Sequence, residues 1–285
     1  MSQKLSKPVL RFAPSPNGRL HLGHAYSALY TWNAARLLGG TALLRIEDID
    51  AERSKPEFAQ AILDDLEWLG LDWPEPVMLQ SDRLDIYAEA GNHLRAQGLL
   101  YPCFCTRAEL TIDATGVDPD GATLYPGTCR HMDRGAQIER LERGDPVQFR
   151  LDVEKAMDRV GTLTFSAVGP LITDRPQVRY ARPERWGDVV LQRKGMPTSY
   201  HLSVVVDDAA QGITHVTRGR DMEAATDIHA LLQLLLGLPS PIYNFHKLIL
   251  DDDGRKLAKS KGSESLADLR EKGWAPEDVR RAVGL

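Results

Sequence analysis

Two hydrophobic periods alternate along this chain, and its first fifty residues show both. Residues 9–13 form a short apolar run that reads as a buried strand. It ends at Pro14-Ser15-Pro16-Asn17-Gly18, a run of turn formers. Over residues 21–38 apolar and small side chains recur at helical spacing (Leu22, Ala25, Leu29, Trp32, Ala35), and Gly39-Gly40 closes the helix. Residues 41–46 predict a second buried strand. Strand, helix and strand in this order form a βαβ unit, which implies a parallel sheet. Ligands in such sheets sit beyond the carboxyl ends of the strands. The 14–18 turn and the acidic stretch at 47–50 both fall there.

Further along, helices are expected at 56–69 and 83–97. Residues 101–133 change character: they hold all three cysteines and a loop rich in Gly, Asp and Pro, and they read as an insertion. Strands are expected at 147–151, 189–192 and 203–206, followed by a strongly apolar helix at 224–236. A strand at 248–250 should lead into a tight Asp252-Asp253-Gly254 turn, and two short helices near Leu266 and Val279 close the chain. The 285 residues suit one large domain with an insertion, or two domains.

Composition narrows the class. The first residues lack an apolar signal core, and the most apolar stretch, 231–238, is interrupted by Gln233 and Gly237. A soluble cytoplasmic protein with no membrane partner is expected. Three cysteines, two of them one residue apart, do not make a disulfide framework. A formal charge of −5 disfavours broad phosphate binding, so any RNA contact must be local. Arg179, Arg182, Arg185, Arg193 and Lys194 form the candidate basic run.

Two motifs carry candidate chemistry. His21-Leu22-Gly23-His24 opens the first helix, placing two imidazoles one turn apart behind a Pro/Gly loop. A helix N-terminus there suits phosphate, and Gly23 permits close approach. Lys256-Leu257-Ala258-Lys259-Ser260 supplies two cations and a hydroxyl after the Asp-Gly turn. A metal candidate is Cys103-Phe104-Cys105 with Cys129: zinc takes four ligands and favours thiolates.

The two motifs, in this order, resemble the HIGH and KMSKS signature loops of class I aminoacyl-tRNA synthetases. The stretches 11–18 and 44–54 resemble the opening of a glutamyl-tRNA synthetase, as do Ser199-Tyr200-His201-Leu202, Val206-Asp207-Asp208 and Arg218-Gly219-Arg220-Asp221. The resemblance implies an α/β fold: a Rossmann-type parallel-sheet catalytic domain with an inserted zinc-binding subdomain and a short helical C-terminal region. It divides the chain into a first catalytic half (1–100), an insertion with the zinc site and an acceptor-binding-like part (101–185), a second catalytic half (186–240), and the KMSKS-like loop with its helices (241–285).

The same resemblance implies a reaction and its residues. ATP, with Mg²⁺ on its phosphates, and L-glutamate would form glutamyl-adenylate. His21, His24 and Lys259 would act on the phosphates. ATP would be held by His21, Gly23, His24, Lys256, Lys259 and Ser260. Arg11 and Arg218 would read the side-chain carboxylate, Glu47 the α-ammonium, with Ala13, Ser15 and Tyr200 completing the glutamate site. Arginine suits a carboxylate because its planar fork matches two oxygens. Ala258 stands where the family has serine, while the lysine is retained. One structural zinc ion would sit on Cys103, Cys105, Cys129 and Tyr125, the last resembling a segment in one subfamily; His131 is the chemical alternative.

Twenty-five residues follow Ser260, too few for the helical anticodon domain of a glutamyl-tRNA synthetase. That pattern resembles the glutamyl-Q tRNA(Asp) synthetase branch of the family. Its members activate glutamate without tRNA and transfer it to queuosine at the wobble position of tRNA(Asp), whose anticodon stem-loop would then be the partner of a monomer. The alternatives are a truncated synthetase charging a 3′ end or another acceptor, a non-catalytic RNA-binding paralogue, and a small-molecule adenylyltransferase.

Overall fold

The structure, a computed structural model, describes residues 7–112, 116–250 and 264–285. It starts with the βαβ unit: β1 (Val9–Phe12), α1 (Leu22–Leu38) and β2 (Thr41–Ile46), with β1 and β2 parallel and Val9 opposite Thr41. The α1 helix ends because Gly39 adopts a left-handed φ of 65° and its N–H turns back to the Arg36 carbonyl. Helix α2 (Pro56–Trp68) leads to the short β3 (Met78–Leu79), parallel to β2, and to α3 (Leu84–Ala96).

The chain then leaves this sheet. β4 (Leu100–Cys103), β5 (Gln148–Leu151) and β8 (Val190–Gln192) form a separate antiparallel sheet. Between them lie α4 (Arg107–Ile112), α5 (Arg134–Glu142), α6 (Val153–Val160), β6 (Thr164–Ala167) and β7 (Gln177–Tyr180). Helix α7 (Tyr200–Ala210), β9 (His215–Gly219), α8 (Thr226–Leu236) and β10 (Ile242–His246) return to the parallel layer. There β9, β10 and β6 pair in parallel, and β7 runs antiparallel at the edge. Helices α9 (Leu266–Glu271) and α10 (Pro276–Val283) finish the chain.

The two parallel sheets meet at β1. Thr214 N–H donates to the Val9 carbonyl (2.9 Å), and Val9 N–H donates to Thr214 Oγ1 (2.8 Å), which sets β9 beside β1. The chain thus goes to β2 on one side of β1 and to β9 on the other. This is the switch point where nucleotide-binding α/β sheets open a crevice. Leu266, Leu269, Val279 and Val283 from the two last helices pack into the same core as Ala25, Leu29, Ile62 and Leu66 from α1 and α2.

Three readings of the sequence change. Residues 203–206 are not a strand but the middle of α7. Val204-Val205-Val206 favours strands by β-branching, yet α7 buries Leu202, Val205 and both Asp207 and Asp208, and that burial overrides propensity. The strand expected at 248–250 lies earlier, at Ile242–His246, and 247–249 form no strand. Strands β6, β7 and β9 have no counterpart in the periodicity reading. Among the described residues no helix is long and apolar enough to cross a membrane.

A buried charge cluster joins the layers. Arg45 on β2 is fully buried; its Nη1 donates to Asp208 Oδ1 (2.8 Å) and its Nη2 to Glu47 Oε1 (3.1 Å). Asp207, beside it on α7, accepts from Gln80, Arg83 and Tyr87, each at 2.8 Å. Replacing Arg45 with leucine should leave these carboxylates undercompensated and lower unfolding free energy by about 3–5 kcal/mol. Urea denaturation followed by circular dichroism checks this; a loss below about 1 kcal/mol would mean the cluster is dispensable.

Candidate active site and metal centre

At the switch point the first motif is built by its own backbone. His21 is the N-cap of α1: Gly23 N–H donates to its Nδ1 (3.0 Å), and His21 N–H donates to His24 Nδ1 (3.3 Å). Both Nδ1 atoms are therefore acceptors, and a neutral imidazole in that state carries its proton on Nε2. The two rings lie 3.9 Å apart between centroids. A Cβ on Gly23 would come within 2.9 Å of the His21 ring, so only glycine leaves the imidazole where the cap puts it. The arrangement offers N–H donors at the positive end of a helix dipole, which suits phosphate oxygens.

Two adjoining cavities occupy the crevice. The larger, of about 440 Å³, is lined by Ala13, Ser15, His21, Gly23 and His24 on one side and by Gly219, Asp221, His246 and Lys247 on the other. The smaller, of about 240 Å³, is lined by Arg11, Ala13, Glu47, Tyr200, Thr217 and Arg218. Phe12, Ala13, Ser27 and Gly219 belong to both walls. The predicted glutamate- and ATP-site residues before position 250 thus divide between two adjoining cavities. Lys256, Lys259 and Ser260 lie outside the described residues.

The smaller cavity is lined by buried charged side chains, Arg11, Glu47 and Arg218. Arg11 Nε donates to Asp208 Oδ1 (3.0 Å), and its Nη1 donates to the Thr217 carbonyl (3.4 Å). Arg218 is 6% exposed. Its Nη1 lies 3.1 Å from His229 Nδ1, its Nη2 donates to the Thr226 hydroxyl, and its buried Nε has no hydrogen-bond acceptor among the described residues. A buried donor with no protein acceptor is costly unless a ligand supplies one. Burial pushes the Glu47 carboxyl above its ordinary range, although Arg45 and Arg11 pull it down. Burial also keeps the Tyr200 phenol protonated.

Sequence reasoning passed over Ser27, His246, Thr217 and His229, and named Asp208 only within a resembling segment, without a role. Only Ser27 left a signal, since it follows His21 and His24 at helical spacing. Each member of the basic run has an acidic or carbonyl neighbour, and Arg182, Arg185 and Lys194 remain exposed. Arg179 pairs with Glu223 and Arg185 with Asp227, both at 2.7 Å, while Arg182 lies 3.6 Å from Glu184 and Arg193 3.9 Å from Asp50. Lys194 donates to the Phe104 and Cys105 carbonyls.

The cysteines converge. The Sγ atoms of Cys103, Cys105 and Cys129 lie within 4.8 Å of one another, with Cys105 and Cys129 3.5 Å apart. Tyr125 Oη lies 3.8 Å from Cys105 Sγ and accepts from Cys129 N–H at 2.7 Å. His131 is exposed and outside the cluster. Thiolates around tetrahedral zinc stand roughly 3.8 Å apart, so three thiols and one phenol fit such an ion. Arg150 Nε donates to Cys103 Sγ (3.3 Å) and its guanidinium lies 3.9 Å from the Tyr125 ring centroid, neutralising part of the charge such a site collects. The hydrogen bond between Cys103 and Cys129 holds the Cys103 thiol below and the Cys129 thiol above the ordinary range.

Comparison with known proteins agrees with this geometry. The family model for the catalytic domain of class I tRNA synthetases (E and Q) matches residues 7–285. The glutamyl-Q tRNA(Asp) synthetase of Rhodobacter capsulatus is 46% identical, over 97% of this chain and 100% of its own. That of Nocardia farcinica is 44% identical, over 94% of this chain and 81% of its own. A crystal structure of the Elizabethkingia meningosepticum glutamate tRNA ligase in complex with its amino acid superposes with a TM-score of 0.76 at 26% identity, over 98% of this chain. This chain spans 60% of that one.

The metal centre has a direct test. Protein purified without chelator should contain about one zinc per chain, and Cys103→Ser should lose both the metal and thermal stability. His131→Ala should change neither. Metal analysis by plasma mass spectrometry, read with the melting temperature, checks this; wild-type protein devoid of metal would discard the site.

Proposed function

This chain belongs to the class I tRNA synthetase (E and Q) catalytic-domain family, as a glutamate-activating ligase of its glutamyl-Q tRNA(Asp) synthetase group, and from that membership we propose how it works and on what. ATP lies in the larger cavity and glutamate in the smaller. The Nε2–H groups of His21 and His24, with the start of α1, hold the phosphates. Lys256, Lys259 and Ser260 act from the second signature loop, with Lys259 on the transferring phosphate. Mg²⁺ bound with the nucleotide would offset the charge of its phosphates. Arg218 and Arg11 receive the side-chain carboxylate, Glu47 the α-ammonium, and Tyr200, Ala13 and Ser15 complete the pocket.

A glutamate α-carboxylate oxygen then attacks the α-phosphorus, the bond to the bridging oxygen breaks, and pyrophosphate leaves. No residue need form a covalent bond; the protein positions the reactants and stabilises charge. In the second step a hydroxyl of the queuosine cyclopentenediol in tRNA(Asp) attacks the acyl carbon of the adenylate. The hydroxyl proton is lost and AMP departs. Zinc on Cys103, Cys105, Tyr125 and Cys129 would hold the inserted segment together. The observation that carries the glutamate reading is the buried Arg218, whose Nε has no hydrogen-bond acceptor among the described residues, in the wall of a cavity that adjoins the histidine-capped helix.

The deciding experiment uses ATP, Mg²⁺ and radiolabelled glutamate, first in pyrophosphate exchange without tRNA, then with tRNA(Asp) carrying or lacking queuosine. Exchange with glutamate and label on queuosine-containing tRNA alone are expected. Label on both tRNAs would mean charging of the 3′ end. Adenylate formation without label would point to another acceptor.

Glutamate affinity should also depend on pH. Glu47 holds the ammonium only as a carboxylate, and burial raises its pKa in the empty pocket. As pH falls from neutral through that raised value, Glu47 protonates and binding weakens. The loss starts at a higher pH than an exposed carboxyl would give. Calorimetric titration between pH 5 and 8, flanking the range reached by raised carboxyls, should show this slope, and Glu47→Gln should bind weakly with a flat profile. A flat wild-type profile would remove Glu47 from the ammonium site.

A further inference from the structure

Behind Arg218 stand two histidines whose hydrogen bonds run in one direction. A guanidinium donates and never accepts, so the 3.1 Å contact from Arg218 Nη1 makes His229 Nδ1 an acceptor. The proton of His229 is then on Nε2, which faces His201 Nδ1 at 3.2 Å and donates to it. His201 in turn carries its proton on Nε2. Burial keeps both rings neutral: it holds His229 far below the ordinary imidazole value and His201 at about 4, and the Arg218 charge acts in the same sense.

Aromatic rings pack against the pair. His229 is 2% exposed, and its ring centroid lies 5.5 Å from that of Tyr200. His201 meets the Trp186 ring edge-on at 5.5 Å. The Arg218 guanidinium itself lies 5.0 Å from the Tyr243 ring centroid and donates to Thr226. Each terminal nitrogen of Arg218 thus has one fixed acceptor and one face is stacked. Nε is buried and has no hydrogen-bond acceptor among the described residues, on a side chain that lines the smaller cavity.

We propose that His229, oriented by His201, is a positioning and specificity residue: it aims the donor edge of Arg218 into the glutamate pocket and turns its own acceptor away from the ligand. The inference rests on the glutamate reading given above. Its chemistry follows from counting donors. A carboxylate brings acceptors on both oxygens to the Arg218 edge. An amide brings one acceptor and an NH₂ that meets another donor. With Nδ1 of His229 already taken by Arg218, the ring offers that NH₂ no acceptor. Sites built in this way discriminate because the wrong ligand leaves buried polar groups unpaired.

The test compares wild type, His229→Leu, His229→Asn and His201→Leu in pyrophosphate exchange with glutamate and with glutamine. Wild type lacking glutamate-dependent exchange would sink the functional reading itself, separately from this inference. Given wild-type exchange, His229→Leu should raise the KM for glutamate by about tenfold or more and lower the glutamate-to-glutamine ratio of kcat/KM by a similar factor. The KM for ATP should stay within about twofold. His229→Asn, whose carbonyl can accept from Arg218, should recover most of the loss. An unchanged KM for glutamate, or equal rises for glutamate and ATP, would overturn the proposal. Should His229→Leu fail to fold by circular dichroism, His201→Leu applies the same criteria, because it removes the acceptor that holds the His229 ring.

Discussion

The constraint on which the rest depends is the charge buried between β2 and α7. Arg45 has no contact with water, and neither does Asp207. Charges in a medium of low dielectric must be paired and hydrogen-bonded or they neutralise. Here the pairing crosses elements distant in sequence: Arg11 from β1, Arg45 from β2, Gln80 and Arg83 ahead of α3, Tyr87 within it, Asp207 and Asp208 from α7. The cluster therefore acts as a register device. It fixes where α7 begins, and α7 begins with Tyr200 in the wall of the smaller cavity.

The same cluster explains how one small cavity can face both ends of an amino acid. Arg11 and Arg45 share Asp208 Oδ1, and Arg45 also holds Glu47. The carboxyl end of the network thus projects Glu47 into the pocket, while Arg218 enters from β9 on the other side of β1. Opposite charges held apart by separate partners do not collapse onto each other, so the pocket keeps a polarity along its length. The histidines near Arg218 add no charge, because burial holds them neutral. A zwitterionic ligand with a distal anion is the natural complement of such an arrangement.

Much of this was legible in the sequence, and what was not has identifiable causes. Helix α1 could be read from its apolar spacing and Gly39, and β1 and β2 from their apolar runs. Helix α7 could not, because three consecutive valines speak for a strand and only tertiary burial of Asp207 and Asp208 speaks against it. Strands β6, β7 and β9 are short, and β7 is exposed along most of its length, so no alternation marks it. In the site, the histidine motif and the arginines stood out through their chemistry in linear order. His229 did not, since it looks like an ordinary helix residue until Arg218 is placed beside it, and Asp208 was legible only as part of a resembling segment until Arg11 gave it a role. Tyr125 was named as the fourth ligand by resemblance and His131 as the chemical alternative; Tyr125 lies beside the thiols and His131 is exposed.

The cysteine cluster and the amino-acid pocket are remote in role but linked along the chain. Lys194, just after β8, donates to the carbonyls of Phe104 and Cys105 at 3.2 and 3.0 Å. Its neighbour Arg193 faces Asp50 in the segment that follows Glu47, and six residues beyond Lys194 the chain enters α7 at Tyr200. Whatever fixes Cys105 also fixes the carbonyls that anchor Lys194, and through a short connection the start of α7. A metal ion on the three thiols would therefore contribute to more than the stability of the inserted segment. By holding the 193–199 connection it would limit the freedom of Tyr200 and of His201 beside it, and these lead in turn to His229 and Arg218. This gives a structural ion a physical route to the precision of the pocket without any place in the chemistry.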